Sequence, residues 1–418
     1  MPRRPTIMTL PPLLSPLRND LYRAVWCAML LSYFGVWIQS VGAAWLMTTI
    51  APTVDFVAWV QAANAIPPIL FTVFGGVLAD RFDQRLILLF SQIAILSMAL
   101  TIGAFDYFGI ITPWLLLTLT FALDSGSAIR YPAYQATVNN LLPREDIPHA
   151  LVLSSIGWNI ARSAGPALGG FLIASFGAQS AFIANALFNL PIIAVLFRWR
   201  RRTGIEKVSQ KGSFLAEIVG GLSHVHATPA IRAALLRCLI FTLFASALWS
   251  LLPLVAKHVA GGGASLYGIM LGALGVGALI GAPALPWARR TFGLRKLCAF
   301  SALCFAGSPV ALAVVNTQYV LLPILAVGGL GWMMLMSTFN VVVQMAADRA
   351  YLGRAVSAYY VAIFSGLALG SWLWGHVAQQ VSIEAGLIAS TVGILASLVL
   401  YRRAVGEILE PTKPTAAE

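Results

Sequence analysis

The sequence predicts an all-α membrane protein of twelve transmembrane helices, arranged as two pseudo-symmetric halves of six. Three observations carry that prediction. Of 418 residues, 59% are hydrophobic and only 10% charged, whereas soluble domains carry about 25% charged residues. Apolar runs close to the ~20 residues needed to span hydrocarbon recur along the whole chain. Lys and Arg fall almost entirely in alternate connections between those runs, the asymmetry that membrane topology imposes.

The spans read as about 22–48, 55–79, 85–108, 112–136, 148–174, 178–198, 231–255, 264–288, 294–315, 318–344, 354–380 and 383–403. The expected domains are an N-terminal segment 1–21, a first bundle 22–198, a linker 199–230, a second bundle 231–403 and a tail 404–418. One set of connections holds Arg81, Arg85, Arg144, the run Arg198 to Lys211, Arg289 to Lys296, Arg349 and Arg354. The termini add Arg3, Arg4, Arg18, Arg402 and Arg403 to that set; the other holds Lys257 and little else. Both termini and the linker are therefore expected in the cytoplasm. The N-terminus is basic and proline-broken, so the first apolar run reads as an uncleaved helix.

A net charge of +12 does not imply nucleic acid here. The basic residues sit in short membrane-flanking segments, and no polar domain is large enough to bind it. Cys27, Cys238, Cys298 and Cys304 lie in or at the ends of apolar spans and read as small buried apolar residues. No GxxxxGK[ST] or HExxH motif is present, so direct ATP drive, a metal centre and a catalytic constellation are not expected, nor is any cofactor.

Two weak internal matches support duplication. GPALGG at 165–170 aligns with GLALGS at 366–371, and FDQR at 82–85 with FGLR at 292–295. Each pair falls at the equivalent place in its half, as in transporters built from parallel six-helix repeats.

Asp124, Arg130 and Arg162 lie inside apolar spans, on either side of the polar hinge Pro143-Arg144-Glu145-Asp146. A charge in hydrocarbon costs at least ~2.5–3.5 kcal/mol on insertion scales, so it faces protein or water and marks function by default. At 1.5 Å per residue, Asp124 lies ~16 Å into span four and Arg162 ~22 Å into span five from the opposite side. They share a depth, and Asp124 with Arg162 is the favoured pair. Burial and a nearby cation act oppositely on a carboxylate and can bring it into a useful titration range, so the two are proton-coupling candidates. A static ion pair between helices is the bland alternative. Arg130 precedes Tyr131-Pro132, which suggests a helix end where arginine snorkels.

The connection after span two reads GGVLADRFDQRLILL, residues 75–89. Gly75 and Gly76 allow close helix approach, and Asp80 beside Arg81 and Arg85 suits a latch at the membrane surface. Gly76, Asp80, Arg81 and Arg85 resemble the major facilitator superfamily signature between its second and third helices, G-x-x-x-D-R/K-x-G-R/K-R/K; Asp83 and Gln84 depart from it. With residues 32–47, 142–170 and 353–375, this resembles the branch containing the bacterial enterobactin exporter and related efflux proteins. The resemblance runs from about residue 15 to 405. It implies the major facilitator fold, a bacterial inner membrane and export, and it makes Asp80 a gate residue. Gly165, Pro166, Gly169 and Gly170 resemble the core of the superfamily's antiporter motif, G-P-x-x-G-G, although Val152 and Ala161 replace its upstream glycines. A structural kink explains the match equally well.

Gln39, Gln61, Asn64, Asn159, Asn185, Asn189, Trp37, Trp249, Asn340, Gln344 and Tyr360 are candidates to line a central cavity. Singly, such residues are more often helix–helix hydrogen bonds or interfacial anchors; together they suit an amphipathic organic cargo. The function expected is secondary active, proton-coupled efflux of a drug-like compound or siderophore by a monomer in the lipid bilayer. Its partners are then cargo and proton. A transporter-like sensor or scaffold without turnover is the alternative.

Overall fold

The computed structural model describes residues 12–199, 223, 225–258, 262–348 and 351–405. Most of the expected linker and tail therefore lies outside the described residues. Among the described residues the fold is all helical. A short 3-10 turn, Pro12–Arg18, leads into α1 (Asp20–Ile50), α2 (Asp55–Arg81), α3 (Gln84–Tyr107), α4 (Pro113–Leu141), α5 (Ile147–Phe176) and α6 (Gln179–Arg198). The second part holds α7 (Pro229–His258), α8 (Ala264–Val314), α9 (Gln318–Ala346), α10 (Leu352–Gln380) and α11 (Ile383–Val405). Side-chain caps set several starts: Asn19 accepts from the Tyr22 amide at 3.0 Å, Asp83 from Arg85 at 3.0 Å and Thr112 from Leu115 at 3.3 Å, each satisfying an orphan donor of the first turn. Below, the "near end" is the one bearing the N-terminal turn, and the "far end" is opposite.

α8 is broken at Gly293, the one position within it with non-helical torsions (φ 69°, ψ 165°). The break reverses the chain. Methyl groups at Gly329 and Gly328 of α9 would meet the Leu274 carbonyl oxygen at 1.9 Å and Ser308 Oγ at 2.0 Å. On a straight helix Leu274 and Ser308 would stand ~51 Å apart, so the two arms of α8 must lie side by side along α9. Only a glycine takes a φ of 69° without strain.

Among the described residues, seven helices (α1, α3, α6, α7, α8, α9 and α10) are long and apolar enough to cross a membrane. α4 and α5 carry internal charges, Asp124 and Arg130 in the one and Arg162 in the other. Large apolar side chains such as Phe90, Phe171, Trp372 and Val392 are exposed around the bundle, as a lipid-facing exterior requires. A multi-pass membrane protein follows. All four cysteines are free thiols.

Small residues fix how the parts meet. Gly165 and Gly169 of α5 lie against Trp37 and Ile38 of α1, and Gly366 and Gly370 of α10 lie against Leu239 and Leu243 of α7. The two GxxxG-like matches thus sit in equivalent interfaces, which is how a duplicated bundle packs. Gly170 faces the other way: a methyl there would stand 2.5 Å from the Ala264 carbonyl oxygen. Gly268 abuts the Pro166 carbonyl and Gly275 the Ser163 backbone, each at 2.4 Å. This α5–α8 seam is matched by α2–α10, where Gly375 meets Ala58 at 2.6 Å and Ala65 packs on Leu367 and Ala368. Two hydrogen bonds close the far end, from the Val54 amide to Gln379 Oε1 (2.8 Å) and from Lys257 Nζ to the Thr48 carbonyl. Toward the near end, α4 makes no contact with α9 or α10 among the described residues.

Gly170→Ala should therefore lower stability by about 1–3 kcal/mol, because backbone rather than a mobile side chain blocks the new methyl. Gly76→Ala, whose added methyl meets nothing within 4 Å, should stay within ~0.5 kcal/mol. Thermal unfolding of the two variants in detergent compares them directly.

Candidate functional site

The internal charges separate into two places. Arg130 is 5% exposed and sits within α4, which continues through Pro132 to Leu141. The expected helix end at Tyr131-Pro132 is absent, and Arg130 does not snorkel. Proline costs one backbone hydrogen bond, but neighbouring helices hold the helix together. Arg130 Nη1 donates to Ser32 Oγ at 2.7 Å and to Gln92 Oε1 at 3.4 Å. Ser32 Oγ donates to Asn189 Oδ1 at 2.8 Å, and Asn189 Nδ2 to Asn185 Oδ1 at 2.7 Å. Asn185 Nδ2 donates in turn to Gln39 Oε1. A directed ladder of hydrogen bonds thus joins α4, α3, α1 and α6 inside the first bundle. Satisfied throughout, such a network rigidifies the core it sits in.

Asp124 belongs with this group. Arg130 is its charged neighbour, and Arg162 is not. The favoured pair of the sequence is corrected accordingly. Equal depth placed Asp124 and Arg162 at one height but said nothing of direction. α4 packs on α2 and α3, whereas α5 packs on α1 and α8. The two helices share a polar contact near the hinge, where Tyr134 Oη and Ser154 Oγ are 3.3 Å apart, and diverge beyond it. Arg130 acts on Asp124 electrostatically, while its own hydrogen bonds go to Ser32 and Gln92.

Arg162 instead lines a small cavity of about 40 Å³ between the bundles. Trp37 and Pro166 join it from the first bundle, and Trp249, Leu274 and Trp332 from the second. Pro166 has no amide proton, so the Arg162 carbonyl four residues earlier loses its helical partner and α5 can bend beside the cavity. The second bundle's wall is aromatic: Trp249 and Trp332 are 4.4 Å apart at 61°, and Phe305 stacks on Trp249 at 5.5 Å. Opposite, Trp37 packs on Trp158 at 5.6 Å, and Trp158 on Tyr33 at 5.2 Å.

The remaining candidates scatter. Gln39, Asn185 and Asn189 are buried in the ladder. Asn159 Nδ2 is spent on the Ser155 carbonyl of its own helix (2.8 Å), and Asn340 accepts from Gln344. Asn64 and Gln61 are half-buried, and Tyr360 is exposed beside Tyr359, ring centroids 5.4 Å apart. Trp332, Phe305 and Phe241 were not anticipated; apolar aromatics inside apolar spans carry no distinguishing signal. Arg237 and Arg289, near Cys298, were missed because they lie where spans meet basic connections.

In the motif after α2, Gly75 makes the close approach. A methyl there would stand 2.8 Å from Ile129 Cα of α4, whereas Gly76 faces open space. Asp80 closes α2, and its side chain lies outside the described residues. Arg81 is exposed. Arg85 donates to the Leu196 carbonyl at 2.7 Å and the Phe197 carbonyl at 3.2 Å, capping the end of α6 as basic residues do. The two departures from the motif have local roles. Asp83 caps α3, and Gln84 accepts from Asn140 Nδ2 at 2.7 Å while donating to the Ala79 carbonyl at 3.3 Å.

Two helical bundles with matched glycine interfaces around one central cavity define a protein of the major facilitator type. The chain belongs to the transmembrane secretion effector family of that superfamily, whose model matches residues 12–413. It is 33% identical over 175 residues to the uncharacterized transporter YfiS of Bacillus subtilis (strain 168), covering 41% of each chain. It is 23% identical over 277 residues to the staphyloferrin A transporter of Staphylococcus aureus (strain NCTC 8325 / PS 47), covering 66% of this chain and 69% of that one. It is 22% identical over 347 residues to the multidrug efflux pump Tap of Mycolicibacterium fortuitum, covering 80% and 84%. Among solved structures, a bacterial homologue of the human lysosomal transporter Spinster, in an inward-facing occupied conformation, superposes with a TM-score of 0.74 at 13% identity. It covers 93% of this chain and 97% of that one. The family and these relatives are membrane transporters rather than enzymes.

A double-mutant cycle checks the assignment of charges. Asp124→Asn combined with Arg130→Gln should deviate from additivity by at least about 0.5 kcal/mol in unfolding free energy, while Asp124→Asn with Arg162→Gln should add within about that margin.

Proposed function

We propose that this protein is a proton-coupled secondary transporter that exports a small amphipathic organic molecule by alternating access. The observation that carries the proposal is the central cavity, walled by Trp37 and Arg162 from one bundle and Trp249 and Trp332 from the other. A site split between two bundles is exposed to either side when they rock about it. The glycine seams α5–α8 and α2–α10 suit such rocking, because small residues let backbones slide in close contact. With the two arms of α8 counted separately, the helices make twelve crossings, six before and six after the linker. Both termini and the linker then lie on the near side. Its excess of Lys and Arg supports reading that side as cytoplasmic in a bacterial inner membrane, and the hydrogen bonds across the far end support an inward-facing reading. In this arrangement Asp80 and Arg81 guard the cytoplasmic gate, and the transporter works as a monomer.

Export, rather than uptake, is favoured by the secretion description of the family and by the staphyloferrin A and multidrug relatives. Proton entry supplies about 2.3 kcal/mol per charge at 100 mV. We assign the proton-binding carboxylate to Asp124. Protonation there removes the charge that faces Arg130 and so perturbs the ladder leading to Gln39.

Asp124→Asn mimics the protonated state and should abolish gradient-driven efflux from cells, or uptake into inverted vesicles, while cargo binding survives. Unchanged proton-driven transport by a well-folded variant would overturn the assignment. Reporter fusions after Val208 and after Glu418 should both report cytoplasm; a periplasmic signal from either reverses the topology.

A further inference from the structure

We infer that the central cavity selects an organic anion: a carboxylate or similar planar oxyanion, held by Arg162, joined to a flat apolar or aromatic body held by the tryptophans. This deepens the proposal above and rests on the cavity being the cargo site. Arg162 lies in the middle of α5, and among the described residues it has no hydrogen bond and no ion pair. Guanidinium cannot be deprotonated in a protein, so its charge must be met by water or by a ligand. No carboxylate lines the cavity. Asp124, the one acid at comparable depth, sits with Arg130. The cavity is therefore a cationic chamber in a low-dielectric setting, where a single charge acts strongly.

A second donor points the same way. Trp37 also lines the cavity, and its indole N–H is buried without a partner. A planar oxyanion satisfies both donors, taking the arginine fork through two oxygens. A cation would be repelled by Arg162, and a neutral hydrocarbon would leave both donors unsatisfied, which costs about 1–3 kcal/mol for each buried group. At about 40 Å³ the cavity takes the oxyanion head alone; as the bundles part, the flat body lies against Trp249 and Trp332, whose inclined rings have Phe305 behind them and favour a flat partner.

The test uses 2-naphthoate and its neutral isostere 2-naphthamide, titrated calorimetrically into the purified full-length transporter in lipid nanodiscs. Naphthoate should bind at least about tenfold more tightly. Arg162→Gln should erase that difference, weakening naphthoate far more than naphthamide; Arg162→Lys should retain part of it. Equal affinities in the wild type, no binding of either compound, or a preference that persists in folded Arg162→Gln would each overturn the inference. Should Arg162→Gln fail to fold, Trp37→Phe decides. It keeps the ring and loses the donor, so it should weaken naphthoate about fivefold and spare naphthamide, whereas no change sinks the two-donor site. Equilibrium binding needs no turnover. Failure of vesicle transport with the anion preference intact counts against export alone, and transport of neutral cargo without that preference counts against this inference alone.

Discussion

A charge buried in a membrane has to be answered, and the way each internal charge is answered shapes the first bundle. Arg130 is answered locally. Ser32 and Gln92 take its hydrogens, and Asn189, Asn185 and Gln39 pass the polarity on through α6 and α1. That ladder needs α1, α3, α4 and α6 in fixed register, because each link is a short side chain with little reach. α5 takes no part in it. It leans instead on α1 through Gly165 and Gly169 and on α8 through Gly170, carrying Arg162 to the boundary between the bundles.

The same boundary explains the distribution of glycine. Where helices of one bundle meet, as at Gly165 with Trp37 or Gly370 with Leu243, the missing side chain sets a close internal contact. Where the bundles meet, at Gly170, Gly268, Gly275 and Gly375, it lets two surfaces approach without interlocking side chains. Interlocked side chains resist sliding; smooth backbone surfaces do not. The far end adds polar links, such as Gln379 to the Val54 amide, beside an apolar cluster that takes in Met47 and Val57 of one bundle and Leu252 and Val255 of the other.

Much of this was legible in the sequence. Span limits such as 318–344 and 354–380 lie within two residues of α9 and α10, since the bilayer leaves long apolar helices no alternative. The glycine matches at 165–170 and 366–371 marked equivalent interfaces correctly. What failed had a common cause: a sequence gives height along a helix better than direction around it. Asp124 and Arg162 were matched by height and separated by direction. Gly75 and Gly76 were both credited with close approach, and only Gly75 makes it, since Gly76 points ~100° away. Pro132 looked like a helix end because the breaking rule comes from water, where no neighbouring helix compensates. Gln39, Asn185 and Asn189 have the polarity of cavity residues, and nothing in their spacing told that they satisfy one another. Of the cavity candidates, Trp37 and Trp249 line the cavity, and Arg162, read as a proton-coupling partner of Asp124, lines it as well.

The contrast between the two arginines gives the fold its mechanical logic. Had Arg162 met Asp124 directly, the pair would have cancelled across α4 and α5, pinning both helices and leaving a neutral cavity. Instead one arginine is held by hydrogen bonds within the first bundle, and the other stands at the boundary between the bundles beside Trp37. Stability alone does not favour that second placement, since an unanswered charge in a span costs a few kcal/mol. It becomes favourable when a ligand answers the charge, and a ligand doing so touches Trp249 and Trp332 of the opposite bundle as well. Under the proposed function, occupancy of the cavity bears on the relative position of the bundles, because Trp37 and Arg162 belong to one bundle and Trp249 and Trp332 to the other.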